Sequence, residues 1–259
     1  MESCNYELIF PKTKDELDQD QEWVIVKEEG CQKKIMVHDY DEIYKIPGLY
    51  EDLFYKRLGC DSPNVVCEML AEEMKKADET DVGLRVFDFG AGNGIVGERI
   101  REMDCDLVVG VDIIPEAKDA ARRDRPGIYD DYHVADLTDL NDQEKRQFRD
   151  YNFNTLVTVA ALGFNDIPTV AFLNAFNLID EDGWVAFNIR DKFLTENDHT
   201  GYRQVLSQVM DDSLDILQDR RYCHRRSLSG DELCYHAIVG KKVNDIDNLS
   251  DIILSGDTD

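Results

Sequence analysis

The stretch FDFGAGNGIVGE, residues 87–98, passes from an apolar run to a helix-forming one through four glycines. Gly90, Gly92 and Gly94 let the main chain take conformations closed to other residues and approach a ligand closely. The helix that follows offers free N–H groups and a positive dipole end to an anionic group. Such a turn belongs at the carboxyl edge of a doubly wound sheet, where ligands bind beyond the strand ends.

The surrounding pattern supports that placement. Short β-branched runs at 84–89, 107–112, 131–135, 153–160 and 183–190 alternate with helical patterns at 94–103, 115–124, 141–150, 167–179 and 200–211. This alternation predicts stacked β-α-β units, hence an α/β, Rossmann-like and mostly parallel sheet with helices on both faces. Near the end, LDILQDRRYCHRR (214–226) and LCYHAIVGKK (233–242) flank a turn that starts SGDE at Ser229. Two strands so joined must be antiparallel, which brings the sheet to seven strands with a reversed C-terminal hairpin strand.

Ahead of the sheet, Ser62 stands at a helix cap and Pro63 at its first turn, opening a helix through Lys76. Residues 23–37 hold two β-branched runs around a glycine, the pattern of a hairpin. The polar stretches 11–22 and 243–259 read as peripheral segments. The expected organisation is an N-terminal extension over 1–38, one domain over 39–242 with a helical lid at 39–77, and an acidic flexible tail over 243–259.

Composition restricts the partners. With 29 Lys and Arg against 55 Asp and Glu the formal charge is −26, so the surface repels phosphate backbones and anionic lipid. Neither a nucleic acid nor a membrane is an expected partner. The seven cysteines include no C-x-x-C pair, which argues against a disulfide framework or a zinc site and for a cytoplasmic setting. No run approaches the roughly 18 apolar residues of a membrane helix.

Two cofactors compete for the turn. Gly92, Gly94 and Gly97 satisfy G-x-G-x-x-G, and Asp112 follows Gly92 at a spacing suited to a ribose hydroxyl, as in nicotinamide dinucleotide enzymes. Read from Asp88, however, DFGAGNG has the form D-x-G-x-G-x-G and resembles the first motif of class I S-adenosylmethionine-dependent methyltransferases of the small-molecule type. A carboxylate here would repel a pyrophosphate and attract the ammonium of a methionine moiety. The resemblance extends through VVGVDIIPEA (108–117), VADL (134–137), TVAALG (158–163) and LIDEDGWVAFN (178–188).

The resemblance implies S-adenosyl-L-methionine as cofactor and assigns its binding residues. Asp88, Gly90, Ala91, Gly92, Asn93 and Gly94 hold the amino-acid end. Asp112 binds the ribose hydroxyls and Ile113 packs on the adenine. Asp136, with Leu137 beside it, reaches the adenine amino group, and Ala160 lies under the sulfonium. Tyr44, within the aromatic set Tyr40, Tyr44, Tyr50, Phe54 and Tyr55, covers the cofactor as part of the lid. Taken alone, Asp112 or Asp136 also fits an ordinary helix-initiating or loop acid, and the aromatic set ordinary packing. Gly163 and Gly183 read as turn formers.

The acceptor side carries no N-P-P-Y or D-P-P-Y sequence, so the implied activity is methyl transfer to a small molecule by in-line displacement, with the catalytic residues open. Asn188, Arg190, Asp191, His199 and Tyr202, at or beyond the fifth strand, are the candidates. A cofactor-binding regulatory protein without turnover and a nicotinamide oxidoreductase remain the alternatives.

Overall fold

The computed structural model describes residues 6–11, 21–28, 30–162, 167–194, 203, 206–207 and 212–246. Most of the expected helix at 200–211 and the tail beyond 246, together with Gly163, His199 and Tyr202, lie outside them.

The main sheet has seven strands: β4 (Leu84–Phe89), β5 (Cys105–Asp112), β6 (Asp131–Val134), β7 (Phe153–Leu162), β8 (Ile179–Arg190), β9 (Leu214–Arg226) and β10 (Glu232–Lys242). Their spatial order is β6-β5-β4-β7-β8-β10-β9, and β10 runs antiparallel to both its neighbours. The first strand in sequence, β4, thus pairs with β5 on one side and β7 on the other. That reversal of winding opens a crevice at the carboxyl ends of β4 and β7.

Side-chain alternation builds a core on each face. Phe87, Phe148, Phe153, Phe172 and Phe187 fill one, under α6 (Asp142–Asp150) and α7 (Thr169–Phe176). Val86, Val108, Val157 and Trp184 face α3 (Ser62–Lys76) and α4 (Ile95–Ile100) on the other. Each fully buried aromatic contributes roughly 1.5–3 kcal/mol of transfer free energy, so these layers hold the strand ends rigid. Helix α5 (Pro115–Asp124) starts directly after β5, with proline in its first turn.

Several boundaries differ from expectation. The span 178–183 is not a turn before the fifth strand: β8 begins at Ile179, opposite Phe153, and bulges at Asp182, whose φ is +64°. Ser62 does not cap α3. It is the first helical residue, behind Asp61, and its buried hydroxyl goes to Tyr222 and His224 instead.

The N-terminal hairpin is present as β2 (Trp23–Glu28) and β3 (Cys31–Met36), and an unanticipated β1 (Tyr6–Ile9) pairs with β2 to make a separate three-stranded sheet. Val24, Val26 and Ile35 of this sheet pack on the helical segment between residues 40 and 57, formed by α1 (Tyr40–Lys45), α2 (Leu49–Glu51) and a π-helical continuation, Asp52–Arg57. Among the described residues no helix is long and apolar enough to cross a membrane.

Candidate functional site

A cavity of about 340 Å3 lies beyond the carboxyl ends of β4 to β7. Its floor is Phe89 and Gly90 from β4 and Val159 to Ala161 from β7. Asp112 and Ile113 from β5, with Ala135 to Leu137 after β6, form one wall, and Tyr40, Tyr44 and Tyr50 form the roof. Tyr44, Gly90, Asp112, Ile113, Asp136, Leu137 and Ala160 are therefore brought together around one space. Asp88, Ala91, Gly92, Asn93 and Gly94 do not line it.

Asp112 closes β5 with its carboxylate already oriented: Gly92 N–H donates to Oδ2 at 2.9 Å and Ile114 N–H to Oδ1 at 3.0 Å. Burial raises its pKa, and the backbone donors of Ile114, Gly92 and Ile113 oppose that shift. With three backbone donors on about four lone-pair sites, the carboxylate retains room for a ligand hydroxyl. Asp136 is exposed, and its Oδ1 accepts from Thr138 N–H at 2.8 Å and Thr138 Oγ1 at 2.7 Å. Between the two carboxylates Ile113 is 57% exposed, an uncovered apolar face at the cavity rim.

Asp88 departs from the expectation that it faces the ligand. Its strand neighbours Phe87 and Phe89 occupy the α6 and α7 side, so alternation turns Asp88 toward α4. There Oδ2 accepts from Tyr129 Oη at 2.7 Å. Complete burial, with a smaller push from Asp112, raises its pKa to about 7, against the Tyr129 and Gly97 hydrogen bonds. Oδ1 of Asp88 and Oδ1 of Asn93 are buried without a hydrogen-bond partner among the described residues. Neither residue lines the cavity.

The glycines serve packing as well. Gly92 has φ +53°, and a Cβ there would lie 2.5 Å from Tyr44 Oη. At Gly97 a Cβ would lie 2.8 Å from the Tyr129 ring. The turn is pinned by Tyr132 Oη, which donates to Gly92 O at 2.9 Å, and by Arg125, which reaches Asn93 O at 3.3 Å and Glu51 at 2.8 Å. Arg123 donates to Tyr44 O at 3.0 Å. Helices α1 and α2 are thus tied down over the crevice.

The fold is Rossmann-like, a mostly parallel seven-stranded sheet with a reversed C-terminal strand. Among solved structures the chain is similar to the N-methyltransferase NodS from Bradyrhizobium japonicum WM9, at 14% identity and TM-score 0.49 over 75% of this chain and 99% of that one. It is also similar to magnesium protoporphyrin IX methyltransferase from Synechocystis PCC 6803 with bound SAM, at 17% identity and TM-score 0.47 over 70% and 79%. A ribosomal protein L11 methylase from Lactobacillus delbrueckii subsp. bulgaricus aligns at 18% identity and TM-score 0.46 over 69% and 79%. No known family profile and no curated protein matches the sequence.

At the end of β8, Asn188 is buried, but it serves β7: its Oδ1 accepts from Ala160 N–H at 2.6 Å and holds that residue at φ +58°. Arg190 and Asp191 do not line the cavity, and Asp191 accepts from Arg221 at 2.9 Å. Sequence reasoning missed His38, which follows β3 and lines the cavity, as well as Cys60 and His224 next to it. Only the unusual Y-x-H pair of Tyr222 and His224 in a strand near the C-terminus hinted at a buried polar group.

Proposed function

We propose that this protein transfers a methyl group from S-adenosylmethionine to a small-molecule acceptor. The observation that carries the reading is the convergence of Asp112, Ile113 and Asp136, from two successive strand ends, on one cavity. An acid for a vicinal diol, an exposed apolar face for a planar ring and a second acid for an exocyclic amine, in that order, match an adenosine moiety.

When bound, S-adenosylmethionine brings an activated methyl on a sulfonium. The chain's own contribution is alignment and exclusion of water: the tyrosine roof closes the space and the bulge at Ala160 sets the floor. The net charge of −26 supports a small acceptor over a polyanionic one.

A dinucleotide fits these residues less well. A pyrophosphate would need the Gly92 N–H, which Asp112 already occupies, and would sit beside that carboxylate. Thermal-shift titrations separate the two readings: stabilisation by S-adenosylmethionine or S-adenosylhomocysteine supports the proposal, whereas stabilisation by NADH alone overturns it. Formation of S-adenosylhomocysteine with a small-molecule acceptor panel then separates an enzyme from a cofactor-binding protein without turnover.

A further inference from the structure

Beside the main cavity lies a second chamber of about 20 Å3, room for about one water. It shares His38, Tyr40, Tyr50 and Ala160 with the main cavity and continues inward to Cys60, His224 and Arg225. A group seated over Ala160 therefore faces both spaces.

A chain of hydrogen bonds ends at this chamber, and its first two links are directed by a backbone group. Ala160 N–H can only donate, so Asn188 Oδ1 accepts and Asn188 Nδ2 is the donor to Tyr222 Oη at 2.7 Å. Tyr222 Oη and Ser62 Oγ lie 2.5 Å apart with either able to donate, and Ser62 Oγ lies 2.5 Å from His224 Nδ1. Where the Ser62 hydroxyl donates to Nδ1, a neutral His224 carries its proton on Nε2. Burial first, and the Arg225 and Arg190 guanidinium groups after it, push the His224 pKa down to about 3. The imidazole is thus held neutral, and with Nδ1 on Ser62 its Nε2–H is the donor it offers.

The chamber's other polar groups are also proton-bearing. Burial raises the pKa of the Tyr50 hydroxyl and of the Cys60 thiol, the latter to about 11. Arg225 is paired with Glu22 at 2.7 Å, and no carboxylate lines this chamber among the described residues.

We propose that this chamber is the acceptor subsite and that it takes one oxygen of the ionised head of an oxygen acid, a carboxylate or a phenolate, held by the His224 Nε2–H. The proposal rests on the methyltransferase reading. The acceptor oxygen supplies the electron pair of the new O–CH3 bond, and the electrons of the broken S–CH3 bond stay on sulfur. An anion and a sulfonium become a neutral ester or ether and a neutral thioether. No proton has to be removed, which agrees with a subsite of donors. An alcohol would need a base, and an amine would have to enter as its neutral form and shed a proton afterwards.

The test uses full-length protein with 15N-labelled histidine, saturated with S-adenosylhomocysteine and titrated with acetate, benzoate or benzylamine. His224 is expected as the Nε2–H tautomer between about pH 6 and 8, with its resonance shifted saturably by the carboxylates and not by benzylamine. His224→Phe, which keeps a ring against Tyr235 (centroids 4.1 Å apart), should weaken benzoate binding about tenfold or more at unchanged S-adenosylhomocysteine affinity. His224→Gln, which keeps a donor, should recover part of the loss. An Nδ1–H tautomer, carboxylates that leave the resonance unmoved, equal benzoate affinity in the His224→Phe variant, or a response to benzylamine instead would overturn the proposal while the cofactor reading stands. Absence of S-adenosylhomocysteine binding would overturn both and is read separately.

Discussion

Tyr44 lays its hydroxyl over Gly92, 2.5 Å from the place a Cβ would occupy. The roof of the cavity and the glycine turn are therefore in contact, and the absence of a side chain at residue 92 is required twice, by this approach and by a φ of +53°. Gly92→Ala should cost about 1 kcal/mol in backbone strain and about 1–3 kcal/mol in overlap. Tyr44→Phe in the same chain should recover the overlap but not the strain. A double-mutant cycle in urea measures this coupling. Strictly additive effects would mean that the two residues do not touch.

Asp88 makes stability depend on pH with a definite sign. Its folded pKa of about 7 lies above the ordinary 3.8, so the folded state keeps a proton that the unfolded state loses. Stability from this group falls as pH rises from about 4 to 7 and is level above that range. The full cost is on the order of 4 kcal/mol. Asp88→Asn, which still accepts from Tyr129, removes the dependence. Its melting temperature should exceed that of the wild type at pH 8, with the gap shrinking toward pH 4. A gap independent of pH would contradict the burial of an ionisable Asp88.

The N-terminal segment should prove integral to stability. Glu22, just ahead of β2, pairs with Arg225 of β9 at 2.7 Å, and each is 1% exposed. Glu22 also accepts from Leu228 N–H at 2.5 Å. Glu22→Ala would leave a buried guanidinium unpaired, for a predicted loss of about 3–5 kcal/mol in urea unfolding. A loss below about 1 kcal/mol would show that water reaches the pair.

The legible part of this protein was what strand periodicity and strand-end chemistry can carry. Asp112, Ile113 and Asp136 follow directly on predicted strands, so their meeting at one edge follows from parallel packing. The face on which Asp88 points was not legible: alternation separates Val86 and Asp88 from Phe87 and Phe89, but not which pair looks toward the crevice. The strand β1, four residues long and paired with β2, carries too short a pattern to stand out. The chain from Ala160 to His224 joins residues up to 162 positions apart through Ser62, and Ser62 itself looked like a helix cap. Such long-range polar contacts depend on the register between distant elements, which no local pattern encodes.

The central claim is that the cavity at the ends of β4 to β7 binds S-adenosylmethionine through Asp112. Calorimetric titration of the wild type and of Asp112→Ala with S-adenosylhomocysteine tests it most directly. Saturable single-site binding is predicted, weakened by roughly 1–3 kcal/mol in the variant with the circular dichroism spectrum unchanged. No heat at millimolar ligand, or equal affinity in both proteins, would contradict it.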